Sequence, residues 1–345
     1  MKKILIYASV LIFVSTMLLA SGAFAGEEES AEMEAEIREK TEALYIVSIG
    51  WWGFEWAQQV KYGAQQAEKF WNEVCGHNIK VEFVGPMDAD TDKIYEGIET
   101  AIAKNPTGMY VMDLGMGEEK IIQPYLDRGG IVTNIGAPPK TYTTHAMIGN
   151  DLFYFGQIQA KKAIELKGES FKYAIGSLPE SPQHIRKREG IKDIMDQYPN
   201  IEYVGMADDG KDIPEGVQNY TAFLTIHPDI DVFITTSGIG GAAAYRALEE
   251  SGYEPGEIVV VSADMTADHI TGLDKGFITR ILGTELANFG FYAISIMHLR
   301  HLNAAPLTKN DEATGHLPGP VNIVIGNPWI DKSNVEYWME LNFSD

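Results

Sequence analysis

Residues 44–71 read LYIVSIGWWGFEWAQQVKYGAQQAEKFW, an apolar strand that runs straight into four aromatic residues and then into an amphipathic helix. Trp51, Trp52, Phe54 and Trp56 occupy the turn. A strand followed at once by a helix is the opening unit of a βαβ layer, and in open α/β sheets ligands bind at the carboxyl ends of the strands. Large apolar rings are costly to leave exposed there. Each ring has two readings, packing on the helix or facing a ligand, and the density of rings predicts at least one that faces a ligand.

The same alternation continues to the end of the chain. Short β-branched runs are expected as strands at Tyr45–Ile49, Lys80–Val84, Gly108–Met112, Ile131–Asn134 and Ala146–Gly149. A second series follows at Lys172–Gly176, Ile201–Gly205, Val232–Thr236, Ile258–Ser262, Thr279–Leu282 and Val321–Ile325. Helical patterns lie between them, at Ile94–Lys104, Glu118–Arg128, Gly156–Leu166, Arg188–Gln197, Gly216–Thr225, Gly241–Glu250 and Leu286–Leu302. Two successive sets of this kind predict an α/β protein of two doubly wound parallel-sheet lobes joined by a hinge.

At the amino terminus, Lys2 and Lys3 precede the apolar run Ile4–Leu19 and the small-residue site Ala23-Phe24-Ala25. This is the pattern of a secretory signal peptide over residues 1–25, cleaved before Gly26. No later stretch is apolar for long enough to span a membrane. No cysteine lies near the cleavage site to carry a lipid, and Cys75 is the only cysteine, so no intrachain disulfide can form.

The formal net charge is −22, and losing the two leader lysines takes it to −24. Residues 26–42 hold eight glutamates against Arg38 and Lys40, so this acidic linker accounts for −6 and leaves −18 on the body. A body this acidic, without a basic stripe, excludes a nucleic-acid binder.

Three chemical patterns have plainer readings. Asp88, Asp90, Asp92 and Glu99 imitate a calcium loop, but Lys93 stands where such a loop needs glycine, so a turn capping the next helix is expected instead. Gly238-Ile239-Gly240-Gly241 follows a strand but lacks the full dinucleotide spacing, and close helix packing is expected there. His298 and His301 share a helix face with no third ligand to make a metal site. The chain has no G-x-S-x-G elbow, no Walker loop and no identifiable carboxylate pair across a scissile bond, so neither a cofactor nor catalysis is expected.

Several segments, taken in order, resemble the type I periplasmic sugar-binding proteins, the group of ribose- and galactose-binding receptors. They are the aromatic turn with YGAQQAEK, then NIGAPP, IGNDLFYFG, RKREGIKD, HPDIDVFITTSGIGGAAAYRALEESG and IVVVSADMTADHITGLDKGFITRILG, followed by a closing strand before DKSNVEYW. The resemblance covers Leu44 to Val335.

It implies ligand contacts from the aromatic turn, with Trp56 best matched to a stacking ring. Asn134-Ile135 stands where the family often has an Asp-Arg pair, so the usual charged clamp is missing. The family's ligand arginine falls on Lys187, flanked by Arg186 and Arg188, one of which is expected to reach the ligand. Ser237 and Asp264 match a strand-end amide and acid, Glu285 lies near a hinge-side glutamine, and Asp209 stands where an aromatic is common. An ionised carboxylate at Asp264 can accept from two hydroxyls at once, and a flat indole suits the C–H face of a sugar.

The resemblance further implies a first lobe of residues 43–149 plus 285–315 and a second of 150–284 plus 316–345. The lobes cross near Gly149, near Thr284 and around residues 315–320. It implies a monomer in the periplasm that closes on a sugar or polyol and is read by the permease of an ABC importer. A nucleoside or autoinducer-type ligand is the alternative within the same site, and an exported sugar-active enzyme is the alternative outside it.

Overall fold

The computed structural model describes residues 27–88, 90–112, 117–135, 144–304, 308–309, 314 and 320–339. The expected signal peptide lies outside them. The acidic segment begins with helix α1 (Glu27–Lys40), whose last turn carries Arg38 and Lys40 at the negative end of the helix dipole. Thr41 ends it, with its hydroxyl donating to the Ile37 carbonyl at 2.8 Å and accepting from the Asn78 amide at 3.0 Å.

β1 (Ala43–Ser48) is buried at almost every position, as expected of a strand covered on both faces. Next come α2 (Glu55–Lys69), extended by a π-helical turn Phe70–Val74, then β2 (Ile79–Val84), α3 (Thr91–Ala103), β3 (Gly108–Met112), α4 (Glu119–Leu126), β4 (Ile131–Ile135) and β5 (Ala146–Gly149). The second series is α5 (Leu152–Lys167), β6 (Ser170–Ser177), α6 (Pro182–Met195), β7 (Asn200–Asp208), α7 (Ile213–Ile226), β8 (Val232–Thr235), α8 (Gly238–Glu250), β9 (Val259–Ala263), α9 (Ala267–Lys275) and β10 (Arg280–Leu282). The chain closes with α10 (Leu286–His301), β11 (Asn322–Val324), β12 (Trp329–Ile330) and α11 (Val335–Met339).

The strands form two sheets of the same plan. One has the order β11-β5-β4-β3-β1-β2 and the other β12-β10-β9-β8-β6-β7. Among the described residues all pairings are parallel except β10 with β12. In both sheets the winding direction reverses beside the first strand, between β1 and β3 and between β6 and β8. Those switch points leave a crevice at the carboxyl ends, where open α/β sheets take their ligands.

The last crossing differs from expectation. β11 adds to the first sheet, with Ile323 opposite Ile148, and only β12 joins the second. The chain therefore changes sheets between Val324 and Trp329, and Asn322–Val324 pair with the first lobe rather than the second. Three crossing segments lie side by side: the Ile325 amide donates to Gly149 (2.8 Å), Gly283 to Pro328 (2.9 Å), and the Asn150 side-chain amide to the Thr284 hydroxyl (3.0 Å).

Several helices begin earlier than the apolar pattern indicates, because their caps lie upstream of it. Asp151 accepts from the Tyr154 amide and starts α5, and Asp212 accepts from the Glu215 amide and starts α7. In each lobe one helix pair meets backbone to backbone. A methyl group on Gly63 of α2 would lie 1.7 Å from the Ala287 carbonyl oxygen, and one on Gly290 of α10 would lie 2.0 Å from that of Val60. The second lobe repeats this with Gly156 of α5 against Lys187 and Gly190 of α6 against Phe153, each at 2.0 Å.

These contacts set the sign of a substitution. In an uncrowded helix, glycine to alanine stabilises by up to about 1 kcal/mol, whereas overpacking costs about 1–3 kcal/mol. Gly190→Ala and Gly290→Ala are each expected to lower the unfolding free energy in urea. Stabilisation by either would show that these helices are not in direct contact.

Candidate functional site

The first half of the site is the turn after β1. Gly50 turns the chain in the left-handed region (φ 69°), and Trp51 follows in the same region at φ 52°. A bulky residue held there is a strained conformation of the kind that gathers at ligand sites. Trp51 packs edge-on against Trp56, with ring centroids 5.7 Å apart, and its Nε1–H is buried without a partner.

Trp52 corrects one expectation. It is 7% exposed in the first core, packs edge-on against Phe83, and donates its Nε1–H to the Val84 carbonyl at 3.0 Å. With face and polar handle both occupied, it serves the core. Phe54 precedes α2 as its N-cap residue and is 49% exposed. Asn134, at the end of β4, is buried and accepts from the Thr144 hydroxyl at 2.6 Å. Glu285 precedes α10 and accepts from the Asn288 side chain at 2.7 Å, beside the second crossing.

The second half lies at the carboxyl ends of β6, β7, β8 and β9. Of the three basic candidates, Lys187 is the buried one. Its ammonium donates to the Thr236 carbonyl at 2.8 Å and lies 4.4 Å over the Phe155 ring. Burial lowers its pKa, against the opposing pull of Asp264 and Asp209. Arg186 is spent on Glu189 (2.7 Å) and the Phe153 ring. Arg188 is spent on the Ser177 hydroxyl and on the carbonyls of Leu178 and Pro179, so it ties down the loop after β6.

Ser237 begins α8, its oxygen accepting from the amides of Ile239 (3.3 Å) and Gly240 (3.1 Å). Its proton goes to Asp209 Oδ2 at 2.5 Å. The hydroxyl expected to meet a ligand therefore works inward as a cap. Asp209 also accepts from the Tyr220 hydroxyl at 2.6 Å, and burial raises its pKa to about 6. His184 lies against the Thr236 hydroxyl (3.1 Å), and burial beside Lys187 pushes it down to about 3, so it is neutral at physiological pH.

Asp264 follows β9 and holds φ 64°. Asn105 and Asn303 are the other two non-glycine residues with positive φ among those described, and asparagine tolerates that region well. Trp51 and Asp264 thus mark one strand end in each sheet where backbone conformation yields to side-chain placement. Asp209 stands in the sequence where an aromatic is common, and His184, Thr236 and the crossing amide Asn150 carry no local signal there. The pair Asp208-Asp209 at the carboxyl end of β7 is the available signal.

The residues of the other patterns have structural roles. Asp90 caps α3 by accepting from the Lys93 amide (3.2 Å). Gly241 packs where a methyl group would meet Ser262 and His269. His298 is buried between the Tyr45 hydroxyl (2.9 Å) and His77 (2.8 Å). Among the described residues no group of three or more His, Cys, Asp or Glu side chains could hold a metal.

The strain at Asp264 can be measured without a ligand. Alanine carries the left-handed cost of about 1–2 kcal/mol and glycine does not, though glycine gives back up to about 1 kcal/mol through the unfolded chain. Asp264→Gly is therefore expected to be more stable than Asp264→Ala in urea unfolding. The reverse order would mean that this position is not left-handed.

Comparison with known proteins supports the architecture. The family described as Periplasmic binding protein domain matches residues 45–303. A sugar ABC transporter sugar-binding protein from Bacillus halodurans is similar in structure, with a TM-score of 0.77 at 20% identity over 86% of this chain and 99% of that one. The arabinose-binding protein AraP from Geobacillus stearothermophilus gives 0.75 at 18% over 86% and 99%. A solute-binding protein from Burkholderia graminis in complex with D-arabinose gives 0.70 at 20% over 85% and 96%. No protein of curated function matches in sequence. None of the described helices is long and apolar enough to cross a membrane. With the family match covering most of the chain and the two sheets sharing one winding plan, the chain belongs to the periplasmic binding protein family, whose members bind solutes rather than transform them.

Proposed function

We propose that this protein is an exported receptor that captures a neutral sugar or polyol between its two lobes and delivers it to the permease of an ABC importer. The observation that carries this reading is the pairing of two unlike half-sites at the two sheet switch points. The first offers aromatic area, with Trp51 and Trp56 in edge contact and a buried, unpartnered indole N–H. The second offers charge, with the Lys187 ammonium and the Asp264 carboxylate.

A pyranose or furanose presents the matching chemistry, a C–H face for an indole and hydroxyls that donate to a carboxylate and accept from an ammonium. Phe54, Asn134 and Glu285 are the further candidates around this pair. An anionic sugar is disfavoured because Asp264 and Asp209 offset Lys187. The arabinose-binding protein from Geobacillus and the D-arabinose complex from Burkholderia support pentoses as the first class to try. The basic-apolar-small pattern of residues 1–25 supports export, and the acidic helix α1 reads as a spacer after it.

A thermal-shift panel of D-arabinose, L-arabinose, D-xylose, D-ribose, D-galactose, D-glucose and adenosine tests the reading. A bound ligand at a hundredfold excess over its Kd adds about 2.7 kcal/mol, enough to raise Tm by several degrees. At least one sugar is expected to give this shift, and Asp264→Ala to abolish it. A response to adenosine alone would replace the sugar with a nucleoside, and a shift that survives Asp264→Ala would misplace the site.

A further inference from the structure

Asp209 is fully buried, and the fold leaves room for its carboxylate. A methyl group on Gly240 of α8 would lie 2.8 Å from Oδ1 and 3.0 Å from Oδ2. One on Gly176 of β6 would lie 3.2 Å from Oδ1 and would collide with the Tyr220 hydroxyl. Neither glycine has a positive φ, so what these positions require is space.

Three elements meet at this carboxylate. The loop after β7 carries it, α7 reaches it through Tyr220, and the start of α8 reaches it through Ser237. The residues around Ser237 in turn locate both charged candidates. The carbonyl of Thr236 holds the Lys187 ammonium, and a methyl group on Gly238 would lie 3.6 Å from Asp264 Oδ2. We propose that Asp209 is a positioning residue whose ionised carboxylate clamps Thr236–Gly238, and with it Lys187 and Asp264, so that sugar affinity falls when Asp209 takes a proton. The inference rests on the reading of the site as a sugar site.

The reason is a count of donors and acceptors. A carboxylate accepts from both Ser237 and Tyr220. A protonated carboxyl brings a third donor to a point where the Ser237 oxygen already receives two amides of α8. The clamp must then give up a bond. Protonation also withdraws a negative charge that supports the Lys187 ammonium, an effect of Asp209 that adds to that of Asp264.

The other charged groups facing this network act as follows. Asp208 at the end of β7 raises Asp209, and Lys187 from α6 lowers it. His184 and Arg188 flank Lys187 on α6, and His184 is already neutral. Glu215 on α7 packs beside Gly210, next in the chain. His269 on α9 lies in the field of Asp264 and is held down to about 4 by burial. Burial places Asp209 to titrate near pH 6. The ionised form binds, so affinity is full above that pH and is lost as the pH falls through it.

Calorimetric titration of the whole protein, between about pH 5 and pH 8, tests this with whichever panel sugar gives the largest thermal shift. The wild type is expected to lose about tenfold in affinity from the upper to the lower end, the size of one charge-assisted hydrogen bond. Asp209→Asn is expected to bind about tenfold more weakly near pH 8 and to show no slope, because the amide offers one acceptor to two donors. Tyr220→Phe removes a bond that favours the ionised form, so its midpoint is expected to move to higher pH. A flat wild-type profile, a wild-type slope in Asp209→Asn, or an unmoved midpoint in Tyr220→Phe overturns the inference while leaving the sugar reading intact. Failure of every panel sugar to bind at any pH sinks the sugar reading and this inference together.

Discussion

A parallel sheet covered by helices on both faces leaves only its strand ends for chemistry, and this constraint organises the molecule. In both sheets the inner strands are buried almost throughout, with Tyr45, Ile46 and Val47 in β1 and Val232, Phe233 and Ile234 in β8 fully enclosed. Polar and strained residues are displaced to the carboxyl ends, where the winding reverses. The glycine contacts between α2 and α10 and between α5 and α6 serve the same geometry, since they bring helices close enough to cover the sheets.

On the proposed reading the two halves divide the work. The end of β1 supplies indole area and an unpaired N–H, and the ends of β7, β8 and β9 supply charge that is largely spoken for inside the protein. Lys187 is costly to bury, and among the described residues no carboxylate lies within ion-pairing distance of it. Its support comes from a carbonyl, an aromatic face and two carboxylates at longer range. Such a cation keeps donors available, which suits recognition of neutral hydroxyls on the proposed reading.

What the sequence disclosed follows from what periodicity records. β3 and β5 have the bounds their apolar runs indicate, and the parallel α/β class was legible from the alternation alone. Helix starts were less legible, because Asp151, Asp212 and Ser237 cap from outside the apolar pattern. β12 is two residues long, and β11 returns to the first sheet, a choice that local pattern does not carry. At the site, residue types were visible but side-chain directions were not. Trp52 and Trp51 are adjacent and chemically identical, yet one donates to Val84 in the core and the other keeps a free N–H. Ser237 was visible as a strand-end hydroxyl, but that it points at Asp209 depends on space left by Gly240 in its own helix and by Gly176, distant in sequence on β6.

The central claim is that a ligand must touch both strand-end surfaces, so that binding draws the lobes together across the three crossings at Asn150, Thr284 and Asn327. Only a state in which both halves contact the ligand gains the differential affinity that drives closure. Small-angle X-ray scattering with and without a saturating sugar measures this most directly. The account predicts a smaller radius of gyration at proven saturation in a protein that remains a monomer, and an unchanged scattering curve would contradict it.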